Sequence, residues 1–110
     1  MDKTELNKTV TTALKCVREL NKRMTPPIIS DFYYGDIELH PKYLTIWYIF
    51  ADHHARAEAV ADGHTARIRE QTLDALREAG YPAEGLDDVV IGFEGDKEIH
   101  DGGGYYAYFK

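Results

Sequence analysis

The stretch Tyr43-Leu44-Thr45-Ile46-Trp47-Tyr48-Ile49-Phe50 decides the fold. Its residues are mostly β-branched or aromatic, the types that suit a pleated, half-buried surface. Side chains alternate across a strand, so Leu44, Ile46, Tyr48 and Phe50 share one face while Thr45, Trp47 and Ile49 share the other. Apolar groups on both faces predict a central strand covered, at least in part, from each side.

Working upstream, Asp36 to His40 also alternates, with Ile37 and Leu39 on one face and Glu38 on the other. His40-Pro41-Lys42-Tyr43 suits a type I turn with Pro41 in its second position, so the two segments read as a hairpin. Phe32-Tyr33-Tyr34 extends the first strand, and Gly35 interrupts the alternation as a bulge would. Before them, Leu6, Val10, Ala13, Leu14, Val17, Leu20 and Met24 recur at three- and four-residue steps and form one helical stripe. Thr25-Pro26-Pro27 is expected to end that helix, because proline has no amide hydrogen and disfavours helix in the residue before it.

Downstream, Asp52 to Gly80 reads as helix broken at Asp62-Gly63. Asp52 is the expected first N-cap and Thr65 the second; Ile68, Thr72, Ala75, Leu76 and Ala79 form the buried stripe, and Gly80 closes the helix. Val89 to Phe93 reads as a strand and Asp96 to Ile99 as a single helical turn. Gly102-Gly103-Gly104 then joins it to a short aromatic strand, Tyr105 to Phe109. The order is α-β-β-α-β-β. The expected architecture is a single α+β domain over residues 1–110, with a four-stranded, mainly antiparallel sheet packed by two helices. The long helical connection allows strands two and three to run parallel.

At 110 residues such a chain can bury a core without a disulfide or metal, and its one cysteine, Cys16, has no intramolecular partner. Cys16 falls beside the apolar stripe and reads as a buried or half-buried structural residue. The N-terminal stretch shows no secretory signal, and no apolar run approaches the roughly 18 residues of a membrane span. A cytoplasmic location with no membrane partner is expected. The net charge of −6 argues against nucleic acid. It is unevenly spread: Lys3, Lys8, Lys15, Arg18, Lys22 and Arg23 make the start basic, whereas Glu84, Asp87, Asp88, Glu94, Asp96, Glu98 and Asp101 make the later part acidic.

No catalytic signature emerges. His53 and His54 adjoin one another and point about 100° apart on a helix, with no HExxH or paired Cys/His spacing nearby. They read as exposed helix-start histidines, so no metal and no cofactor is expected. The glycine run is followed by a strand rather than a helix and is flanked by negative charge, so it is a poor phosphate cradle. Ser30, the only serine, excludes a GxSxG elbow. The one polar cluster of interest is Glu94, Asp96, Glu98 and Asp101 around His100, where crowded acids would raise one another's pKa; its candidate site residues are Glu98, His100 and Asp101.

The excess lies in the aromatics, eight Tyr, four Phe and one Trp. If the helices cannot cover both sheet faces, Tyr43, Trp47, Tyr105, Tyr106 and Tyr108, with the acidic Glu94, Asp96 and Glu98, form a docking surface. The expected function is therefore a non-enzymatic protein-binding domain. It would act by self-association, for instance as a homodimer, or on a basic partner drawn by the acidic segment. In size and charge the chain looks broadly like small acidic bacterial proteins that neutralise toxins, with no motif that ties it to them. The alternative is a small enzyme or ligand-binding protein using Glu98, His100 and Asp101.

Overall fold

The computed structural model describes residues 2–109 and centres on the expected strand, β2 (Thr45–Phe50). Its neighbours are β1 (Ser30–Tyr34), antiparallel, and β3 (Val90–Gly95), parallel. The described residues form one compact α+β domain whose sheet is three-stranded and mixed, in the order β1-β2-β3. Six helices accompany it: α1 (Lys3–Leu20), α2 (His53–Ala61), α3 (His64–Ala79), α4 (Ala83–Leu86), α5 (Asp96–Asp101) and α6 (Tyr105–Tyr108). The parallel pairing follows from the crossover through α2, α3 and α4, which returns the chain to the same end of the sheet.

Register sorts the sheet into two faces. Ile46 aligns with Ile91 and Tyr48 with Phe93, while Phe32 aligns with Trp47 and Trp47 with Gly92. The first face carries Ile46, Tyr48, Phe50, Ile91 and Phe93 and packs against Leu6, Val10, Leu14 and Val17 of α1 and Ile68 and Leu76 of α3. Polar contacts fix this layer. Tyr33 donates its hydroxyl to Asn7 Oδ1 at 2.6 Å, Arg18 grips Asp31 through two N–H groups at 2.7 and 3.3 Å, and the Tyr48 and Thr72 hydroxyls meet at 2.7 Å. Thr72 also donates to the Ile68 carbonyl, so the fully buried pair is satisfied. Burial pushes the Tyr48 hydroxyl pKa up.

Several expectations are corrected. The stripe of α1 is buried through Val17, but the helix ends at Leu20, before the prolines, and Leu20 is exposed. Asp36 to His40 is no strand: it turns, burying Ile37 and leaving Leu39 74% exposed, so the alternation there reflects one anchoring side chain. The first strand lies earlier, at Ser30–Tyr34, so β1 and β2 are joined by a loop that contains a 3₁₀ turn at Pro41–Tyr43. Gly35 is required at that loop's start. Its φ is +129°, and a Cβ there would stand 1.8 Å from the Tyr43 carbonyl oxygen. Asp52 does cap α2, accepting from the Ala55 amide at 2.8 Å, and Gly80 closes α3 in a left-handed conformation. Thr65, by contrast, is buried within α3, whose N-cap is Gly63.

The fourth strand is absent: Tyr105–Tyr108 is a turn of helix. Gly103 and Gly104, at φ +101° and +95°, swing the chain back over the sheet. A helical step then puts Tyr105, Tyr108 and Phe109 on the side facing the protein and leaves Tyr106 84% exposed. Cys16 is exposed, not buried, lying off the α1 stripe. Among the described residues no helix is long and apolar enough to cross a membrane.

Candidate functional site

The second sheet face carries the side chains that the main core does not absorb. Ser30, Phe32 and Tyr34 project from β1, Thr45, Trp47 and Ile49 from β2, and Gly92 and Glu94 from β3. Ile49 is fully buried, as is Ile99 of α5, yet both stand outside the main core cluster, so this face has a small core of its own. Trp47 lies across the middle of the face. Its indole N–H reaches the Tyr34 hydroxyl at 3.3 Å, and its six-membered ring rests on β3, where a Cβ at Gly92 would come within 2.4 Å of it.

Phe109 covers this tryptophan, with ring centroids 4.9 Å apart, and meets Phe32 edge-on at 5.2 Å and Tyr108 at 5.1 Å. Tyr105 meets Phe32 at 5.8 Å. Such offset and edge-on pairs are the arrangements aromatic quadrupoles favour. Beside this cluster a groove of about 570 Å³ follows β1, walled by Phe32, Tyr34, Tyr105, Tyr106 and Phe109, with Ser30 and Asp31 at its margin. Because β1 is an edge strand, one side of its backbone has no strand partner among the described residues.

The groove's roof is pinned by carboxylates. Tyr108 donates its hydroxyl to Glu94 Oε2 at 2.7 Å, and Tyr105 donates to Asp96 Oδ1 at 2.8 Å. Both phenols are pushed up in pKa, Tyr108 chiefly by its bond to the Glu94 carboxylate and Tyr105 chiefly by burial and then by Asp96. Glu94 is itself only 8% exposed. Its Oε1 pairs with His53 Nε2, accepts from the Gly95 amide at 3.0 Å and lies 3.6 Å from an Arg56 nitrogen. Burial alone would raise the pKa of this carboxyl, but the Tyr108 hydroxyl, the Gly95 amide and His53 outweigh it and hold the group below its ordinary value. At Glu94 the opposing influence is burial rather than neighbouring acids, and hydrogen bonds outweigh it. Glu94 therefore ties β3, α2 and α6 together through its carboxylate.

The remaining residues singled out by sequence are scattered. Glu98 turns toward the same corner, 3.9 Å from His53 Nε2, with its Oε1 buried against Gly95 and without a hydrogen-bond partner. His100 instead faces Asp96, 3.0 Å from the backbone oxygen, and Asp101 pairs with Lys97 at 2.9 Å on the surface. Glu98, His100 and Asp101 thus point three ways. Tyr43 is exposed at the start of β2, edge-on to His40, at the opposite end of that strand from Glu94. His54 is exposed, whereas His53 is half-buried on Glu94. No group of three or more His, Cys, Asp or Glu able to hold a metal occurs among the described residues.

Sequence reasoning missed His53, Arg56 and Phe32 in this site. The His53–Glu94 contact spans 41 residues and leaves no local trace, but the spacing of Tyr105, Tyr108 and Phe109 at i, i+3 and i+4 was a helical signal. Compared with known proteins, the chain matches no family model, no curated protein and no solved structure.

Proposed function

We propose that the chain is a non-enzymatic protein-binding domain that docks a partner along the aromatic face of its sheet. The observation that carries this reading is the ring-walled groove of about 570 Å³ beside the free edge of β1. An extended segment can add to such an edge through main-chain hydrogen bonds and set an apolar side chain into the adjoining hollow. Exposed Tyr34 and Tyr106 offer apolar rings with hydroxyl tips, the residue type enriched at interface anchors. With a net charge of −6, the chain favours a basic partner during encounter.

The polar corner supports binding better than acid–base catalysis. A general base works best with a pKa near the operating pH. Glu94 is held well below that and is occupied by several donors, while Glu98, His100 and Asp101 do not converge. The test is co-purification from the source cells with wild-type chain and with Tyr106→Ala as bait. A partner retained by the wild type and lost by the variant, at equal melting temperature, supports the reading. A partner held equally by both would contradict it. Light scattering on the isolated chain separates the two forms of the proposal: a dimer dissolved by the same substitution means self-association, and a monomer means a different partner.

A further inference from the structure

On the other side of Trp47, toward β3, lies a second hollow of about 590 Å³. It is lined by Trp47, Arg56, Ala57, Val60, Arg69 and Phe93, and shares no lining residue with the β1 groove. Its volume falls within the roughly 300–1,000 Å³ typical of small-molecule sites, mostly apolar with a few convergent polar groups. The polar groups here are two guanidiniums. Among the described residues no carboxylate lines the hollow, although acids outnumber bases in the chain as a whole.

Each arginine is held by something that leaves donors unused. Arg69 stands over the Phe93 ring at 5.4 Å and gives one N–H to the Ile91 carbonyl at 3.3 Å; it makes no ion pair among the described residues. Arg56 has one nitrogen 3.6 Å from Glu94, a carboxylate already shared with Tyr108, His53 and the Gly95 amide. A guanidinium carries five N–H donors in a fixed fork, so both keep donors for a ligand. The indole completes the site. Its six-membered ring, lying against Gly92 on β3, forms one wall of the hollow.

We propose that this hollow binds a small flat aromatic anion: a ring bearing one carboxylate or phosphate, set beside Trp47, with its charge taken by Arg56 and Arg69. The arginine fork matches both anions in geometry and is less strongly hydrated than an ammonium, which favours its use in an open cleft walled largely by apolar residues. The proposal does not rest on protein docking at the β1 groove, because the two sites use different residues.

Trp47 is the only tryptophan, so its fluorescence reports the site directly. The full chain is titrated with benzoate and with phenyl phosphate, and with benzamide and phenol as their uncharged counterparts. The Gly92 amide is followed in parallel by NMR. At least one anion should change the indole emission saturably and shift Gly92, and its uncharged counterpart should bind about tenfold more weakly or worse. Whichever anion binds identifies the acid group. Arg56→Gln with Arg69→Gln should lower the affinity by a similar factor, Arg69→Lys by less, and Tyr106→Ala should leave it unchanged. Equal binding of charged and uncharged ligands, or no shift at Gly92 with either anion, would overturn the proposal. If the glutamine pair fails to fold, the comparison of charged with uncharged ligands still decides it.

Discussion

One strand serves two faces that are finished in different ways. Toward α1 and α3, β2 presents Ile46, Tyr48 and Phe50, all fully buried beneath helices of 18 and 16 residues. Toward the other side it presents Trp47, half-buried under Phe109 and a four-residue helix. A helix that short is not stable on its own, so its place depends on Tyr108, Tyr105 and Phe109 finding partners on the sheet. The contrast teaches that rings on a strand are finished according to what covers them: under long helices they are fully buried, and under a short one they stay partly exposed.

The largest effect expected from this contrast is on the closed face. Phe50→Ala should cost about 3–5 kcal/mol, because the lost burial and the cavity add, and chemical denaturation will measure it. On the open face, Gly92→Ala is next. The new methyl would meet the Trp47 ring, so a loss of about 1–3 kcal/mol is expected together with a changed indole emission. Equal and unaltered emission would mean that the ring does not rest on β3.

Smaller still, and dependent on pH, is Glu94→Gln. The folded state holds the Glu94 pKa below its unfolded value, so the carboxylate stabilises the fold above the ordinary carboxylate range. That contribution disappears as pH falls through the lowered folded value. The difference in melting temperature between wild type and Glu94→Gln should therefore be largest near neutral pH and shrink in acid. A difference that is flat with pH would show that the charge on Glu94 is not what ties α2 and α6 to the sheet. The smallest effect on stability belongs to Tyr106→Ala, within about 0.5 kcal/mol of wild type, since the ring is almost wholly exposed. A larger loss would mean that α6 packs more tightly than the contrast between faces requires.

The closed face was legible in sequence because its signals are local and repetitive. The α1 stripe from Leu6 to Val17, the α3 stripe through Ile68, Thr72 and Leu76, and the alternation of β2 each recur with one period, and the length of the crossover implied the parallel pair. The open face was not. There the tyrosine-rich end mimicked a strand because strand propensity of aromatics outweighed the helical spacing of Tyr105, Tyr108 and Phe109, and beside the main core Ile37 and Leu39 mimicked another in a turn. The corner around Glu94 depends on contacts between chain segments far apart in sequence, His53 with Glu94 and Arg56 with Glu94, which no window of residues displays.

The proposed docking places a partner on the β1 side of the aromatic face. Hydrogen exchange of the chain alone and with its co-purified partner tests this directly. New protection is expected at the amides of Ser30–Tyr34 and around Tyr106, with those of α1 and α3 unchanged. Protection that instead gathers on α1 or α3, leaving β1 as it was, would contradict the account.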